Sequence, residues 1–378
     1  MHQLNQRPLP ACNHGFGPGA ALGIPLAMLT LVGCQGERTQ SSLHPAGPAA
    51  DSVATLWWIL LAVLGLYALA VFALTLVAIF RKGSGEQRQA DQEIGDNRGA
   101  HEGRVFILVG GVVLPAIILV PLLIYSLTTT VNLRMRDSGL TIRVEGHMWW
   151  WNVEYPEHGL ITANELIIPA GEPVRLELTS ADVIHSFWVP QLHGKMDLLP
   201  GQTSEFWIEA DRPGRYRGQC AEYCGKQHAL MAFEVVALPP EEFVDWLQKH
   251  SSGTNSSVAK TPQAKLQAQL QESTAGEQAK GQRLFFQHGC GVCHAIKDTP
   301  ARGLAGPDLT WIASRNTLAA GTIINTRENL LHWLADPQSL KPGAKMPATH
   351  APEEELELIV SFLHSLEGTE EGHESNEQ

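Results

Sequence analysis

Cys220-Ala-Glu222-Tyr-Cys224-Gly-Lys-Gln-His228-Ala-Leu-Met231 gathers two thiols, an imidazole and a thioether within twelve residues. Thiolate and thioether select copper, and imidazole suits it as well. A mononuclear copper site of the blue type needs one Cys, two His and an axial Met. The second Cys here allows two thiolates to bridge two metal ions, with His228 as one terminal ligand and Met231 as a weak extra one. One more imidazole completes a symmetrical set. His185, in Val183-Ile-His185-Ser-Phe-Trp-Val-Pro, is the candidate. It lies at the end of a predicted strand, and the Cys loop joins two later strands of the same predicted sandwich. Spreading one electron over two metal ions lessens rearrangement on redox. Zinc in a Cys2His2 site is the competing metal; Met231 and an outward location argue against it.

Working outward, Thr141 to Leu238 has an all-β texture. Stretches such as Thr141–Glu145, Val174–Leu178 and Glu205–Glu209 alternate as half-buried strands do. Pro169-Ala170-Gly171, Pro200-Gly201 and Pro213-Gly214 punctuate them. About a hundred such residues suit a β-sandwich. Glu241–Lys249 reads as a short amphipathic helix. Residues 251–278 are rich in Ser, Gln, Ala and Lys and read as a linker, partly helical at most. From Ala279 the pattern is helical again, closing with Leu356, Ile359, Val360 and Leu363 at helical spacing. The tail after Gly368 is acidic and is expected to be disordered.

Six cysteines occur in 378 residues. Cys12 and Cys34 lie in or at the end of an N-terminal processing segment, leaving the pairs Cys220/Cys224 and Cys290/Cys293. A disulfide is the plain alternative for each pair in an oxidising compartment. Cys290-Gly-Val-Cys293-His294 is the c-type heme attachment pattern: two thiols add to the heme vinyls and the adjacent His ligates the iron. A closed electron-transfer heme takes a second axial ligand. Met346, in Pro342-Gly-Ala-Lys-Met346-Pro347, is the candidate, with His332, His350 and His364 as alternatives.

The N-terminal third is apolar. Residues 1–33 read as a signal segment, and Leu31-Val32-Gly33-Cys34 resembles a lipoprotein lipobox, which predicts lipid on Cys34. Val53–Phe80 and Val105–Thr130 contain no charged residue and are long enough to span a bilayer. Pro115 and Pro121 in the second run are tolerated where neighbouring protein satisfies the freed carbonyls. Arg81, Lys82, Arg88, Arg98 and Arg104 between the runs put that loop in the cytoplasm. Everything after residue 130 then faces outward. Charged residues make up 17 % of the chain and the formal net charge is −12. That balance disfavours nucleic acid as a partner and favours basic ones.

Residues 53–238 resemble subunit II of the heme–copper oxidases, and residues 279–366 resemble a class I cytochrome c. The second likeness is carried by Gly281, Leu284-Phe285-Phe286, Cys290–His294, Gly306-Pro307 and Met346-Pro347. The resemblance implies a multidomain fold class: two transmembrane helices, an all-β cupredoxin-like sandwich and an all-α cytochrome c domain. Expected segments are 1–33 (lipoprotein-type signal), 34–130 (anchor), 131–240 (sandwich), 241–278 (linker), 279–366 (cytochrome c) and 367–378 (acidic tail). It implies a dinuclear CuA centre held by His185, Cys220, Cys224, His228, Met231 and the backbone carbonyl of Glu222. The Glu222 carboxylate would help bind Mg2+ or Mn2+ at the border with subunit I. Cys290, Cys293, His294 and Met346 would hold covalent heme c. Gly146-His-Met-Trp149-Trp150-Trp151 resembles the family's aromatic patch, which gives Trp149 the role of receiving electrons and leaves Trp150 and Trp151 to packing. Met148 and Trp150 stand where the family commonly has Gln and Tyr. Leu108 stands where some members carry a Glu near a proton path, and Glu102 lies upstream of it.

The ligand sets are those of closed electron carriers, and no Ser–His–Asp constellation or phosphate loop is visible. The implied role is the electron-receiving subunit of a proton-translocating respiratory terminal oxidase in the bacterial inner membrane, both cofactor domains periplasmic. Its implied partners are subunit I, where O2 is reduced, subunit III, cytochrome c or another donor, and lipid. A nitric oxide reductase of the same superfamily could use such a subunit. Nitrous oxide reductase also holds CuA, but it is soluble and carries a catalytic copper domain. A membrane-tethered copper-delivery protein leaves the heme motif unexplained, and quinol-oxidase subunits lack the copper ligands.

Overall fold

Helix α1 (Pro48–Phe80) carries apolar residues all round, so it has no polar face to turn to water. Leu66, Phe72 and Phe80 stand exposed along it. Helix α2 (Asn97–Leu108) runs through a π-helical turn at Val109–Val113 into α3 (Leu114–Asn132). The turn coincides with Gly110-Gly111 and ends just before Pro115. A π-turn shifts backbone carbonyls out of register, and one of them finds a partner on the neighbouring helix: Tyr67 Oη donates to Gly110 O at 3.3 Å. Pro48–Phe80 and Gly103–Val131 are long and apolar enough to cross a membrane by length and composition. In this computed structural model the described residues are 40–80, 97–133, 136, 138–251 and 264–366. The expectations for Cys34, for Arg81, Lys82 and Arg88, and for the tail from residue 367 lie outside them.

Ten strands follow: β1 (Thr141–His147), β2 (Trp150–Tyr155), β3 (Leu160–Ala163), β4 (Glu165–Pro169), β5 (Val174–Ser180), β6 (His185–Trp188), β7 (Lys195–Leu198), β8 (Ser204–Ile208), β9 (Gly214–Cys220) and β10 (Ala232–Leu238). They form two five-stranded sheets, ordered β3-β2-β1-β5-β8 and β4-β10-β9-β6-β7. Each sheet is mixed: β1 runs parallel to β5, and β10 parallel to β4. In β5 every second residue is buried, as its sequence alternation predicts. Between the sheets Trp151, Phe187 and Phe233 interlock, with Trp151–Phe233 centroids 5.0 Å apart and Phe187–Phe233 centroids 4.5 Å apart. The sandwich is the predicted cupredoxin-like layer. Antiparallel β6 and β9 pair Phe187 with Cys220. This brings the start of β6, where His185 sits, beside the end of β9, where the Cys loop leaves.

His193 follows β6, edge-on to Phe206 and Trp207 at centroid distances of 4.4 and 5.0 Å. It is 8 % exposed, and burial pushes its pKa down to about 4. The unfolded imidazole titrates near 6.5, so between pH 6.5 and 4 the unfolded chain binds the extra proton. The stability due to a neutral His193 is therefore complete above pH 6.5 and is lost as pH falls through that window. The whole drop is worth about 3 kcal/mol. Urea melts of His193→Phe should lose this acid sensitivity; an unaltered pH profile would exclude His193 as its source.

Helix α4 (Pro240–Ser251) lies against the sandwich through Phe243 and Trp246. Helix α5 (Ala264–Gln287) starts inside the segment expected to be a linker. Its Ala, Leu, Gln, Glu and Lys are strong helix formers, and its C-terminal end gains packing through Leu284 and Phe285. The scarcity of large apolar residues in its first half is what concealed it. The C-terminal domain continues with α6 (Cys290–Cys293), the short strands β11 (Thr317–Leu318) and β12 (Ile323–Ile324), α7 (Arg327–Ala335), α8 (Pro337–Leu340) and α9 (Glu353–His364). Leu356, Ile359, Val360 and Leu363 of α9 are buried, on the face the sequence spacing predicts.

The two domains share a packed border. Trp311 of the C-terminal domain joins the core cluster of the sandwich, its ring 4.7 Å from that of His250 on α4. The Asn316 amide donates to Glu165 Oε1 at 2.6 Å.

Candidate metal and heme centres

The loop from the end of β9 to the start of β10 turns back on itself, so Cys220, Cys224, His228 and Met231 point to one spot. The sulfurs of Cys220 and Cys224 are 3.7 Å apart, well beyond the roughly 2.0 Å of a disulfide, and both thiols are free and buried. Cys220 Sγ is 3.9 Å from His185 Nδ1. Cys224 Sγ is 3.8 Å from both His228 Nδ1 and Met231 Sδ. Donor atoms bonded to one tetrahedral metal at about 2.0–2.3 Å stand roughly 3.3–3.8 Å from each other. The observed separations fit donors sharing metal ions. Cys224 is the common neighbour: it touches Cys220, His228 and Met231. The carbonyl oxygen of Glu222 lies 3.1 Å from Cys220 Sγ, while its side chain is only half-buried.

Electrostatics prepares the same atoms. The hydrogen bond from the Cys224 thiol holds Cys220 down to about 3 against the penalty of burial. The nearby Cys220 sulfur and burial push Cys224 up. The pair thus surrenders its first proton readily, which suits metal uptake. His185 is fully buried, and its Nε2 lies 2.9 Å from Asp182 Oδ1. A carboxylate only accepts, so Nε2 carries a proton and Nδ1 is the atom that faces the sulfurs. Burial opposes charge on the ring, but the hydrogen bonds to Cys220 and Asp182 raise its pKa, so Nδ1 offers a lone pair once its own proton leaves. The Met148 amide also donates to Asp182, at 2.7 Å. Asp182 thus orients a donor ring, and it was missed in the sequence because nothing in its spacing separates it from a turn residue.

Of the three consecutive tryptophans, Trp151 is fully buried in the core and Trp150 stacks on His147 at 4.3 Å. Trp149 is half-buried, and its Nε1–H donates to Cys224 O at 2.8 Å. One hydrogen bond therefore ties the Trp149 ring to the Cys loop.

In the C-terminal domain the short α6 carries Cys290, half-buried, and Cys293, exposed. His294 Nδ1–H donates to Pro307 O at 2.7 Å, so Nε2 keeps its lone pair. Burial pushes the His294 pKa down, which keeps the ring neutral. Gly306 is required here: a Cβ on it would lie 2.6 Å from His294 Cε1. Met346 packs, half-buried, against the same apolar cluster as Cys290. Gln338 holds its loop by donating to Ala344 O at 2.9 Å and Met346 O at 3.4 Å. Of the alternative ligands, His332 Nε2 lies 3.0 Å from Ser339 Oγ and His350 is exposed. The neutral His294 ring, the flanking thiols and the Met346 loop form a donor set that fits heme c.

Residues 158–238 match the family described as cytochrome c oxidase subunit II, periplasmic domain, and residues 278–367 match cytochrome c. Cytochrome c oxidase subunit 2 of Alkalihalophilus pseudofirmus is 35 % identical over 353 residues, covering 91 % of this chain and 96 % of that protein. The chain belongs to the cytochrome c oxidase subunit II family. Cytochrome c oxidase subunit 2 of Bacillus subtilis is 30 % identical over 368 residues, 90 % of this chain and 95 % of that one. A solved periplasmic domain of subunit II (CoxB) from Bradyrhizobium japonicum is 31 % identical, with a TM-score of 0.30, covering 31 % of this chain and 96 % of that one. Membership makes the chain part of an oxidoreductase, and its two domain types point to copper and to heme c.

In this subunit II the His185 ring also depends on a residue of another strand. A Cβ on Gly146 would lie 2.7 Å from His185 Cδ2 and 3.0 Å from Cγ. The ring is fully buried, so it can make room only by leaving its place beside the sulfurs, and Gly146→Ala should weaken copper binding by about 10–100-fold. Copper per chain after dialysis against a chelator measures this; full retention would show that the ring is free to shift.

Proposed function

We propose that this chain is the electron-receiving subunit of a proton-translocating heme–copper terminal oxidase, and that its cofactors are a dinuclear copper centre and covalent heme c. His185, Cys220, Cys224, His228, Met231 and the carbonyl of Glu222 hold the copper, and the Glu222 carboxylate contributes to a Mg2+ or Mn2+ site at the border with subunit I. Cys290, Cys293, His294 and Met346 hold the heme. When bound, these groups supply one-electron transfer with little rearrangement. A donor, cytochrome c or another carrier, delivers to the C-terminal domain. The sandwich domain then passes electrons to the catalytic subunit, where O2 is reduced. Subunit III completes the assembly, and the two apolar helices anchor both domains on the periplasmic side of the bacterial inner membrane.

The observation that carries this reading is the donor cluster itself. Two free sulfurs 3.7 Å apart, each with its own imidazole within 3.9 Å, are joined by Met231 Sδ 3.8 Å from Cys224, which makes five donors where one tetrahedral ion takes four. The test is purification of the complex with metal analysis, visible and near-infrared spectra, and gas uptake. More than one copper per chain with near-infrared absorption, a reduced c-type band and O2 consumption are expected. Zinc in the cluster, or nitric oxide consumed in place of O2, would overturn the corresponding half of the proposal.

A further inference from the structure

Around the Cys loop the C-terminal domain makes a set of polar contacts that neither centre requires. Ala319 and Ala320 both have left-handed backbone, at φ 53° and 59°, and Gly321 continues it at 72°. Residues with a Cβ adopt this conformation only at a cost, so consecutive cases mark a turn held by its surroundings. The turn joins β11 to β12 and is closed locally by Thr322, whose amide donates to Leu318 O at 3.1 Å and whose hydroxyl donates to Ala319 O at 2.7 Å. Beyond that, hydrogen bonds from outside the hairpin reach its three successive carbonyls. Ala320 O accepts from the Ala232 amide at 3.0 Å, and Ala232 follows Met231 directly. Gly321 O accepts from Arg217 Nη1 at 3.3 Å. Ala319 O accepts from Lys341 Nζ at 2.9 Å, and the same ammonium reaches across the border to Trp149 O at 3.1 Å.

Lys341 is only 3 % exposed. A lysine this deep is rare unless its donors are used, and burial pushes its pKa down to about 7. Even the neutral amine keeps two N–H groups for its two carbonyls. The adjoining residues extend the same contact. Gln227, one residue before His228, donates to Pro342 O. Lys345 lies 3.8 Å from Asp182 Oδ2 and 5.9 Å from the Trp149 ring centre.

We infer that the Ala319–Gly321 turn and Lys341 form a built latch that holds the C-terminal domain on Trp149 and the Cys loop, closing this face to soluble donors. An incoming donor protein must then dock on the C-terminal domain and cannot reach Trp149 directly. The inference rests on the relay proposed above, and Lys341 acts in it as a positioning residue.

The test uses the full purified complex carrying Lys341→Met, which keeps the apolar stem, and Lys341→Arg as the conservative partner. A second variant, Arg217→Ala, removes a half-exposed donor from the other side of the border. The first readout is amide hydrogen exchange at Ala232, whose acceptor, Ala320 O, lies across the border. Loss of a buried two-acceptor donor should shift the docked ratio, and so speed this exchange, about tenfold. Arg217→Ala should move it the same way and Lys341→Arg should largely restore it. The Val235 amide, within the β9–β10 ladder, should not change. An unchanged Ala232 rate in both Lys341→Met and Arg217→Ala, or equal acceleration at Val235, overturns the latch. The second readout is reduction of heme c in a rapid mix, followed at the copper near-infrared band. If the wild-type band never responds, the relay fails whatever the exchange shows. If it responds, and Lys341→Met slows it with both spectra unchanged, the latch and the relay stand together.

Discussion

Cys224→Ser should yield a subunit that folds and assembles but holds almost no copper. Cys224 is 3 % exposed, and Ser is close to it in shape. The cost to stability is that of a buried hydroxyl, about 1–3 kcal/mol. The effect on metal is far larger, because Cys224 Sγ is the atom within 3.8 Å of Cys220, His228 and Met231. A hydroxyl does not ionise to replace the thiolate. Loss of a group that merely orients a ligand costs about 10–100-fold in affinity, so loss of this shared ligand should exceed about 100-fold. Elemental analysis and the near-infrared band of the purified complex report it directly, and O2 uptake should fall in parallel. A full copper complement in the Ser variant would remove Cys224 from the ligand set.

The second large effect is expected from Cys290→Ala combined with Cys293→Ala. His294 keeps its bond to Pro307 O, but no thioether can form, so a denaturing gel should show no heme migrating with the chain. The copper band should persist, since every proposed copper ligand lies between His185 and Met231. Turnover with a protein donor should drop roughly 100-fold, as a tethered carrier at high effective concentration is lost. Heme that stays with the denatured double variant would refute covalent attachment through this motif.

What could be read from the sequence was whatever is written in short stretches. The Cys loop and the heme motif are contiguous, and β1, β5 and α9 show their burial in their periodicity. His185 was found because the ends of strands in a sandwich meet, and the structure places its Nδ1 3.9 Å from Cys220. The missed residues act across distance in the chain. Lys341 meets Trp149 over 192 positions and Asn316 meets Glu165 over 151, and no local pattern announces either. Asp182 and Gly146 are ordinary turn and strand residues until His185 is packed against them. The start of α5 was lost for another reason: a helix of polar residues has propensity but no stripe to betray it.

Trp311 has a consequence for how this protein comes apart. Its indole belongs to the sandwich core although its backbone belongs to the other domain. Unfolding either half therefore strips apolar contact from the other. On heating, the two should melt together in one calorimetric transition, and a fault in heme insertion should register as fragility of the copper half.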